Sequence, residues 1–442
     1  MVWFKTPPLT DDKQFLRELY QAKRCTPEDA VKYIESEQNI VLPLGAGEPT
    51  VLLEAMTQRK ADLRGVRIHQ MLPMGENGYR KPGMERHFRH VAWIANGTPR
   101  PGVPAGRSGL MFGYFHQYPS FLAENMDIDI FMGTVSPIDQ HGFCSFGVAV
   151  DYTTTAARLA KKVLLVVNPN MPRTHGTSFI HIAQADCIVE DDSPLPDYAY
   201  DEPDEETKAI AAHVAEHIPD GATIALGLGP IPQAVGEALR DKHGLGVHCD
   251  FLTDAIADLV HAGAVTNRHK TLHPDKVICT SVIGSRRLYR FVDDNPLIEM
   301  HPVSYTNDPA IIARNIRMTA IYTAGEVDLL GQATAQAFGA RRLVSGGQVD
   351  FARGCAMAPE GRFFLVLRSR NEKGQSAIVP QLSPDSVVCV GRHDIDAVAT
   401  EYGVAFLKGR TLRQRAEALI AIAHPNYRDG LAQAAKKLGL TR

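Results

Sequence analysis

The sequence lacks the features that direct a chain to a membrane, a secretory route or a nucleic acid. No apolar run in its 442 residues reaches the roughly 18 residues that a membrane-spanning helix needs. The N-terminal stretch Met1–Tyr20 has no apolar core of the signal-peptide type. The net charge is only −3, with lysines and arginines scattered, so no basic surface for nucleic acid is indicated. We expect a cytoplasmic protein with neither nucleic acid nor membrane as a partner.

Cysteine pairs and familiar catalytic motifs are also missing. The seven cysteines stand singly, without a CxxC pair or a Cys/His cluster, which argues against a disulfide framework and against a zinc site. We therefore expect reduced thiols and no bound metal. No GxSxG elbow, HExxH pair, P-loop or Cys/His nucleophile pair stands out, which removes the commonest hydrolase and nucleotide-binding classes.

What the chain does contain is an alternation of apolar, β-branched runs with helical stretches. Hydrophobic residues make up 44% of the sequence, and its length suits two or three domains of roughly 150–200 residues. The pattern predicts an α/β protein with largely parallel sheets. Predicted strands are Asn39–Leu44, Lys162–Val167, Thr223–Leu226 and Lys276–Val282, and predicted helices include Pro232–Arg240 and Thr253–Ala262.

A proline- and acid-rich stretch, Asp191–Glu206, divides the chain nearly in half. Because it is too polar to bury, it is the best candidate for a linker. We predict an N-terminal α/β domain over residues 1–195 and a C-terminal one over residues 205–442.

The two halves resemble each other weakly but in the same order, which suggests an ancient duplication. Three correspondences carry the idea: Val41–Pro49 with Ile224–Pro232, Ile68–Leu72 with Val247–Leu252, and Asp129–Gly133 with Asp328–Gly331. The prediction is thus two tandem open α/β domains, with the active site expected in a cleft between them.

The first candidate site is the turn Gly227-Leu228-Gly229, where a predicted strand runs into a helix. Its backbone N–H groups suit a phosphate or a developing oxyanion. A dinucleotide-binding turn is the rival interpretation, but the third glycine of GxGxxG is missing, and Pro230 and Pro232 remove donors. A plain strand–helix turn stays open as an alternative.

The second candidate site is Asp250, with His248 just before it. The carboxylate is expected at the carboxyl end of a strand, ahead of a helix that begins around Thr253–Asp254. Ligands bind at that edge of open α/β sheets, and the helix dipole favours an ionised, nucleophilic carboxylate. Asp250 as a simple helix cap is the alternative.

A glycine pair, Gly346–Gly347, permits close backbone approach to a ligand, although such pairs are also common in plain turns. Arg353 and the pair Arg341–Arg342 are candidates for meeting phosphates. Near the C-terminus, Leu412–Ile422 has helical spacing and predicts a packed helix that Pro425 closes.

Taken together, these motifs resemble the family I CoA-transferases, specifically the 4-hydroxybutyrate CoA-transferase and acetyl-CoA hydrolase/transferase group. The resemblance covers nearly the whole chain. Its segments are Val135–Thr153, Met171–His181, Gly227–Val235, Thr271–Val277, Asn295–Pro309, Gly346–Gly354 and Glu401–Pro425.

The resemblance implies two NagB/RpiA/CoA-transferase-like domains, a homodimer or homotetramer, and ping-pong chemistry through a side-chain carboxylate. CoA is then a substrate, alongside an acyl-CoA and a carboxylic acid, and no separate cofactor is implied. Gly227–Gly229 matches the mobile glycine loop beside the active site. Gly346 and Gly347 match the CoA-contacting segment, and Gln348 is the next residue along.

Two positions depart from the family pattern. The family nucleophile is glutamate, and the matching residue here is Asp250. The segment before Glu326–Asp328 commonly holds an asparagine, and this chain has Tyr322. We therefore expect Asp250, Gly227, Leu228 and Gly229 to serve catalysis, and Gly346, Gly347, Gln348, Tyr322 and His248 to bind substrate.

Three outcomes stay open for the shortened carboxylate. Asp250 remains the nucleophile of a CoA-transferase, or it admits water and the enzyme is an acyl-CoA hydrolase, or another acid such as Glu48 or Glu326 takes over. An inactive acyl-CoA-binding regulatory subunit is a further hypothesis. The aromatic stretch Phe112–Phe121 is a candidate acyl pocket, although such residues are more often core.

Overall fold

The structure is a computed structural model that describes residues 12–75, 77–94, 107–334, 346–384 and 386–441. Its α-helices are α1 (Lys13–Lys23), α2 (Pro27–Ala30), α3 (Thr50–Gln58), α4 (Tyr118–Asn125), α5 (Thr153–Leu159), α6 (Glu205–Ala215), α7 (Pro230–Ala238), α8 (Asp254–His261), α9 (Arg286–Val292), α10 (Val303–Thr306), α11 (Pro309–Ile312), α12 (Gln348–Met357), α13 (Leu412–Ala421) and α14 (Pro425–Lys437).

The strands follow the alternation that the sequence predicts. They are β1 (Asn39–Val41), β2 (Val66–Gln70), β3 (Phe88–Ala92), β4 (Ser108–Leu110), β5 (Ile130–Val135), β6 (Phe143–Ser145), β7 (Lys162–Val167), β8 (His175–Gly176), β9 (Phe179–His181), β10 (Cys187–Glu190), β11 (Thr223–Leu226), β12 (Gly246–Val247), β13 (Phe251–Leu252), β14 (Val277–Cys279), β15 (Ser281–Val282), β16 (Ile298–Met300), β17 (Met318–Thr323), β18 (Glu326–Asp328), β19 (Ala333–Thr334), β20 (Arg362–Val366), β21 (Ile378–Val379), β22 (Ala397–Thr400) and β23 (Gly403–Phe406).

The chain folds as two compact units. One comprises Met1–Tyr198 with Cys279–Tyr305, and the other Ala199–Ile278 with Thr306–Arg442. The first break falls inside the acidic stretch, while residues 279–305 group with the first unit although they follow Asp250 in the sequence. The domain limits at residues 195 and 205 stay a prediction.

The first unit is built on a seven-stranded sheet of order β10-β7-β5-β1-β2-β3-β4, in which the neighbouring strands run parallel. Every residue of β5 is buried, and β7 is buried except at its first position. Continuous apolar runs of this kind are typical of a parallel strand covered on both faces. From β1 the chain winds outward through β2 to β4, and from β5 it winds the other way through β7 to β10.

The second unit is built on a six-stranded sheet of order β12-β11-β17-β20-β22-β23. Its strands are parallel except for the β22–β23 pair. From β11 the chain winds to β12 on one side, and from β17 it winds through β20 to β22 on the other. The winding direction therefore reverses between β11 and β17.

Both sheets thus reverse between two adjacent central strands, and this shared winding supports the predicted duplication. Two of the three sequence correspondences fit it, because β1 matches β11 and β2 matches β12. The third is wrong: Asp129–Gly133 leads into β5, the central strand next to β1, whereas Asp328–Gly331 follows a strand of a separate three-stranded sheet. The structural counterpart of β5 is β17.

Three further expectations need correction. Pro425 does not close the helix α13, which ends at Ala421; it begins α14. The predicted strand Lys276–Val282 is two short strands, β14 and β15. Cys25 and Cys187 are joined as a disulfide with Cα atoms 6.4 Å apart, so the expectation of free thiols throughout is wrong for this pair.

Over the described ranges, the structure contains no helix that is both long enough and apolar enough to cross a bilayer.

Candidate active site

The candidate site lies at the carboxyl edge of the second unit's sheet, where the winding reverses. In an open α/β sheet such a reversal opens a crevice beyond the strand ends, and ligands bind there. The glycine loop Gly227–Gly229 follows directly after β11, and Tyr322 and Thr323 end β17. Since Leu226 pairs with Ile321 across these strands, the two segments emerge side by side.

Asp250 lies between β12 and β13, and β12 neighbours β11 on the side away from β17. Its side chain has no exposed surface, and its Oδ1 accepts a hydrogen bond from the Phe251 N–H at 2.9 Å. The N-cap of the next helix, α8, is Thr253. The alternative that Asp250 is a simple helix cap is therefore wrong, and its carboxylate needs another explanation.

The environment of Asp250 makes its carboxyl group a weaker acid than an ordinary aspartate side chain. Burial raises the pKa of Asp250 to about 7, and the nearby Asp350 carboxylate acts in the same direction. The Tyr322 hydroxyl beside it and the Phe251 N–H oppose this rise in pKa by stabilising the ionised form. A carboxyl group that titrates near neutrality is typical of a catalytic residue.

Gly347 brings the backbone of a distant segment against this carboxyl group. A Cβ added at residue 347 would overlap both Asp250 Oδ2 and Asn307 Nδ2, and would lie 3.3 Å from Asp250 Cγ. Only glycine leaves room for both side chains. The structure thus brings Asp250 and Gly347 together, two residues that the sequence analysis singled out separately, and adds Asn307 to them.

These neighbours include polar atoms that nothing satisfies. In the described part of the chain, Asp250 Oδ2, Tyr322 Oη and both amide atoms of Asn307 are buried and make no hydrogen bond of good geometry, although the Tyr322 hydroxyl lies close enough to Asp250 to lower its pKa. Leaving one such group unsatisfied costs roughly 1–3 kcal/mol, so several together mark a place built for a bound group.

Tyr322 is held firmly while its hydroxyl faces Asp250. Its ring lies 5.7 Å from the Phe351 ring and 6.1 Å from the Phe363 ring, measured between centroids. On another side, a Cβ at Gly227 would lie 2.8 Å from Tyr322 Cδ1, so the glycine loop passes directly over the ring. Tyr322 therefore links the glycine loop to the carboxyl group.

The three residues of the glycine loop differ in what their N–H groups do. Gly227 donates to the Ile321 carbonyl at 2.8 Å, which extends the sheet. Gly229 donates to the Tyr200 hydroxyl at 2.9 Å. Leu228 makes no backbone hydrogen bond in the described residues. The donors left for a substrate are therefore those of Leu228 and, once Tyr200 moves aside, Gly229.

His248 and Gln348 hold other parts of this site in place. The fully buried His248 donates from Nε2 to the Thr306 carbonyl at 2.8 Å and so fixes the segment that carries Asn307. Gln348 donates from Nε2 to the Thr323 carbonyl at 3.0 Å, which ties the start of α12 to the end of β17. In this geometry both contact protein rather than an open surface.

Other candidates lie elsewhere. Glu48, in the first unit, is buried and accepts hydrogen bonds from the Met74 N–H and the Asn77 amide. Glu326 sits in the small sheet with β19, and Arg353 pairs with Asp394 at 3.7 Å. Arg341 and Arg342 lie outside the described residues. Of the aromatic stretch Phe112–Phe121, Phe115 and Tyr118 are core residues, while Phe112 is exposed.

Sequence reasoning missed Asn307. It comes from a loop far along the chain from Asp250, and no local pattern marks it as polar and buried. One signal was present: Asn307 lies within Asn295–Pro309, a segment that carries the family resemblance, at a position that packs beside Gly347.

Comparison with known proteins identifies the family of the chain. The N-terminal domain of the acetyl-CoA hydrolase/transferase family matches residues 9–196, and its C-terminal domain matches residues 284–435. The glycine loop and Asp250 lie between these matches, whereas Asn307, Tyr322 and Gly347 lie within the second.

Full-length relatives cover the gap. The 4-hydroxybutyrate coenzyme A transferase of Clostridium kluyveri is 42% identical over 423 residues, which is 95% of this chain and 99% of that protein. The succinyl-CoA:cyclohexane-1-carboxylate CoA transferase of Geobacter metallireducens is 38% identical over 95% of this chain and 96% of its own. The crystal structure of RipA from Yersinia pestis superposes with a TM-score of 0.92 at 35% identity, covering 96% of this chain and 99% of RipA.

The fold and these relatives define an enzyme of the CoA-transferase class. The chain belongs to the acetyl-CoA hydrolase/transferase family, and the resemblance drawn from the sequence is confirmed.

Proposed function

We propose that this enzyme moves CoA between a small acyl-CoA and a free carboxylate, with Asp250 as the nucleophile. One observation carries the proposal: Asp250 Oδ2 is buried, has no hydrogen-bond partner in the described structure and lies beside Gly347 and Asn307. A carboxylate oxygen in that state is free to attack a carbonyl carbon placed in the crevice.

In the first step of the first half-reaction, the ionised Asp250 attacks the thioester carbonyl of the acyl-CoA. The tetrahedral intermediate carries an oxyanion, and the unpartnered Asn307 Nδ2 and the Leu228 N–H are the donors that this unit offers to it. Collapse breaks the carbon–sulfur bond, so CoA leaves as a thiolate and Asp250 is left as a mixed acyl anhydride.

In the second step of this half-reaction, the thiolate attacks the Asp250 carbonyl carbon and expels the first carboxylate. The enzyme then carries CoA as a thioester on Asp250. An incoming carboxylate reverses both steps and departs as the new acyl-CoA. Each step transfers the acyl group or CoA between carboxylate and thiolate, so no oxidant, metal or cofactor is consumed.

A second candidate is acyl-CoA hydrolysis on the same scaffold. Aspartate is one methylene shorter than the family glutamate, which withdraws the nucleophile by roughly 1.5 Å, one carbon–carbon bond. The gap between the withdrawn carboxylate and a bound thioester would then admit a water molecule that Asp250 activates, or that intercepts the anhydride. This candidate differs from transfer only in the final acceptor.

A test is to mix the enzyme with acetyl-CoA or succinyl-CoA, with and without a carboxylate acceptor, and to follow free thiol and acyl-CoA exchange. Exchange that needs the acceptor supports transfer, whereas thiol release without it supports hydrolysis. If neither exchange nor thiol release is observed, the protein is an inactive acyl-CoA-binding subunit.

The covalent step has its own measurement. Borohydride treatment during turnover should trap a CoA thioester on Asp250, located by peptide mass spectrometry. Asp250→Ala should abolish both activities. Full activity in that variant would show that another residue is the nucleophile.

The substrates are a matter for a screen of carboxylic acids by mass spectrometry, because the relatives named above act on acids of very different shape. The family resemblance also supports a homodimer or homotetramer, which light scattering coupled to size exclusion would measure.

A further inference from the structure

The acidic stretch Asp191–Glu206 sends one side chain to the glycine loop. Tyr200 is half-buried, and its hydroxyl accepts the hydrogen bond from the Gly229 N–H at 2.9 Å. A linker needs no such contact, and the proposed mechanism assigns Tyr200 no part.

Within the glycine loop, the Gly229 N–H is one of two donors available to a ligand, the other being that of Leu228. Pro230 and Pro232 carry no N–H at all, and the Gly227 N–H is engaged by the sheet. Gly229 has a φ of 134°, which only glycine adopts readily. This conformation sets the direction in which the Gly229 N–H points at the start of α7.

The loop also stands next to the rest of the site. A Cβ at Gly229 would lie 3.1 Å from Thr323 Oγ1, a buried atom without a hydrogen-bond partner in the described residues. The backbone carbonyl of Thr323 accepts a hydrogen bond from Gln348 Nε2. Gln348 stands at the start of α12, beside Gly347 and Asp250. The Tyr200 oxygen therefore occupies a donor at the rim of the candidate active site.

We propose that Tyr200 is a positioning residue: its hydroxyl caps the Gly229 N–H in the free enzyme, and an oxygen of the CoA portion of the bound acyl-CoA takes its place on that donor. Substrate binding then exchanges one hydrogen bond for another, and the loss of the Tyr200 hydrogen bond offsets part of the binding free energy of the substrate. The inference rests on the proposed function, since acyl-CoA is the ligand that displaces the hydroxyl.

The test is Tyr200→Phe, which removes only the hydroxyl. With the Gly229 N–H no longer capped, the KM for acetyl-CoA should fall by about threefold to tenfold, the usual worth of one hydrogen bond, while kcat changes little. Damage to the fold or loop would instead raise KM or lower kcat. Tyr198→Phe, an exposed tyrosine of the same stretch, is the matched control and should behave like the wild type.

Calorimetric titration with CoA separates this inference from the proposed function. A tighter dissociation constant for CoA in Tyr200→Phe supports the capping role even if the wild type shows no acyl transfer. An unchanged or weaker constant overturns the capping role even if transfer is observed. Absence of CoA binding to either protein overturns it as well.

Discussion

Gly347 lies so close to Asp250 that no side chain fits between the backbone of one residue and the carboxylate of the other. This contact joins the start of α12 to the loop after β12, two segments almost a hundred positions apart. The same small volume also receives the Asn307 amide. Geometry this tight makes the site sensitive to single atoms.

The first prediction concerns Gly347→Ala. The added methyl group must displace Asp250 or Asn307, and a shift of about 1 Å in a reacting group costs on the order of a hundredfold in rate. We expect kcat/KM for acyl transfer to fall by about that factor, with a normal circular dichroism spectrum. Gly430→Ala is the control, because nothing lies within 4 Å of its added Cβ. Wild-type activity in Gly347→Ala would mean that the reaction takes place elsewhere.

The second prediction concerns Asn307→Ala. If Asn307 Nδ2 donates to the oxyanion, its loss removes a bond made mainly in the transition state. We expect kcat to fall by about 100- to 1,000-fold with little change in KM. Steady-state kinetics measures both, and the exposed Asn426→Ala serves as the control. A change confined to KM would assign Asn307 to substrate binding instead.

The third prediction concerns pH. If the ionised Asp250 carboxylate is the nucleophile, as proposed, kcat/KM should rise with pH through the pKa of Asp250, about 7. The Tyr322 hydroxyl lowers this pKa, so Tyr322→Phe should move the rising limb of the profile to higher pH. The exposed Tyr402→Phe should leave the limb in place. If the rising limb stays at the same pH or moves to lower pH in Tyr322→Phe, the Tyr322 hydroxyl does not stabilise the ionised nucleophile.

The fourth prediction concerns stability. In the unfolded chain an aspartate titrates near pH 4, whereas folded Asp250 titrates at about 7. Between these values the unfolded state releases a proton that the folded state keeps, so this residue destabilises the fold increasingly from pH 4 to pH 7, and fully above pH 7. Asp250→Asn removes the cost.

Calorimetry should therefore find a Tm roughly 5 °C higher for Asp250→Asn at pH 8, and little difference at pH 4. Equal Tm values at pH 8 would show that Asp250 ionises in the fold without penalty.

The fifth prediction concerns the choice between transfer and hydrolysis. Asp250→Glu introduces the side chain that the family resemblance implies and carries the carboxyl group one methylene further out. If the short side chain admits water, the ratio of transfer to hydrolysis should rise by about tenfold. An unchanged ratio of exchanged to hydrolysed acyl-CoA would discard the idea that side-chain length controls the outcome.

Local patterns predicted much of this molecule. The strand Thr223–Leu226, the glycine loop after it and the helix after Asp250 each depend on neighbouring residues, so turn and capping rules sufficed. The partners of Asp250 could not be found in this way, because Asn307 and Gly347 reach it through the winding of a parallel sheet. Tyr200 was invisible for the same reason: a hydroxyl in a polar stretch carries no sign of what it will contact.

The errors have physical causes too. Pro425 stops a helix or starts one with equal ease, since its missing N–H is harmless in a first turn, and the sequence cannot say which. The third internal correspondence matched short motifs rather than strand positions, and β17 shares the place of β5 without sharing its residues.

The grouping of residues 279–305 with the first unit has a practical consequence. Asp250 precedes this excursion and Asn307 follows it, so no single uninterrupted fragment of the gene encodes the second unit alone. To express it in isolation, one would have to delete the excursion and splice position 278 to position 306. Any attempt to divide this protein at its acidic midpoint would instead leave a piece of the first unit stranded in the wrong half.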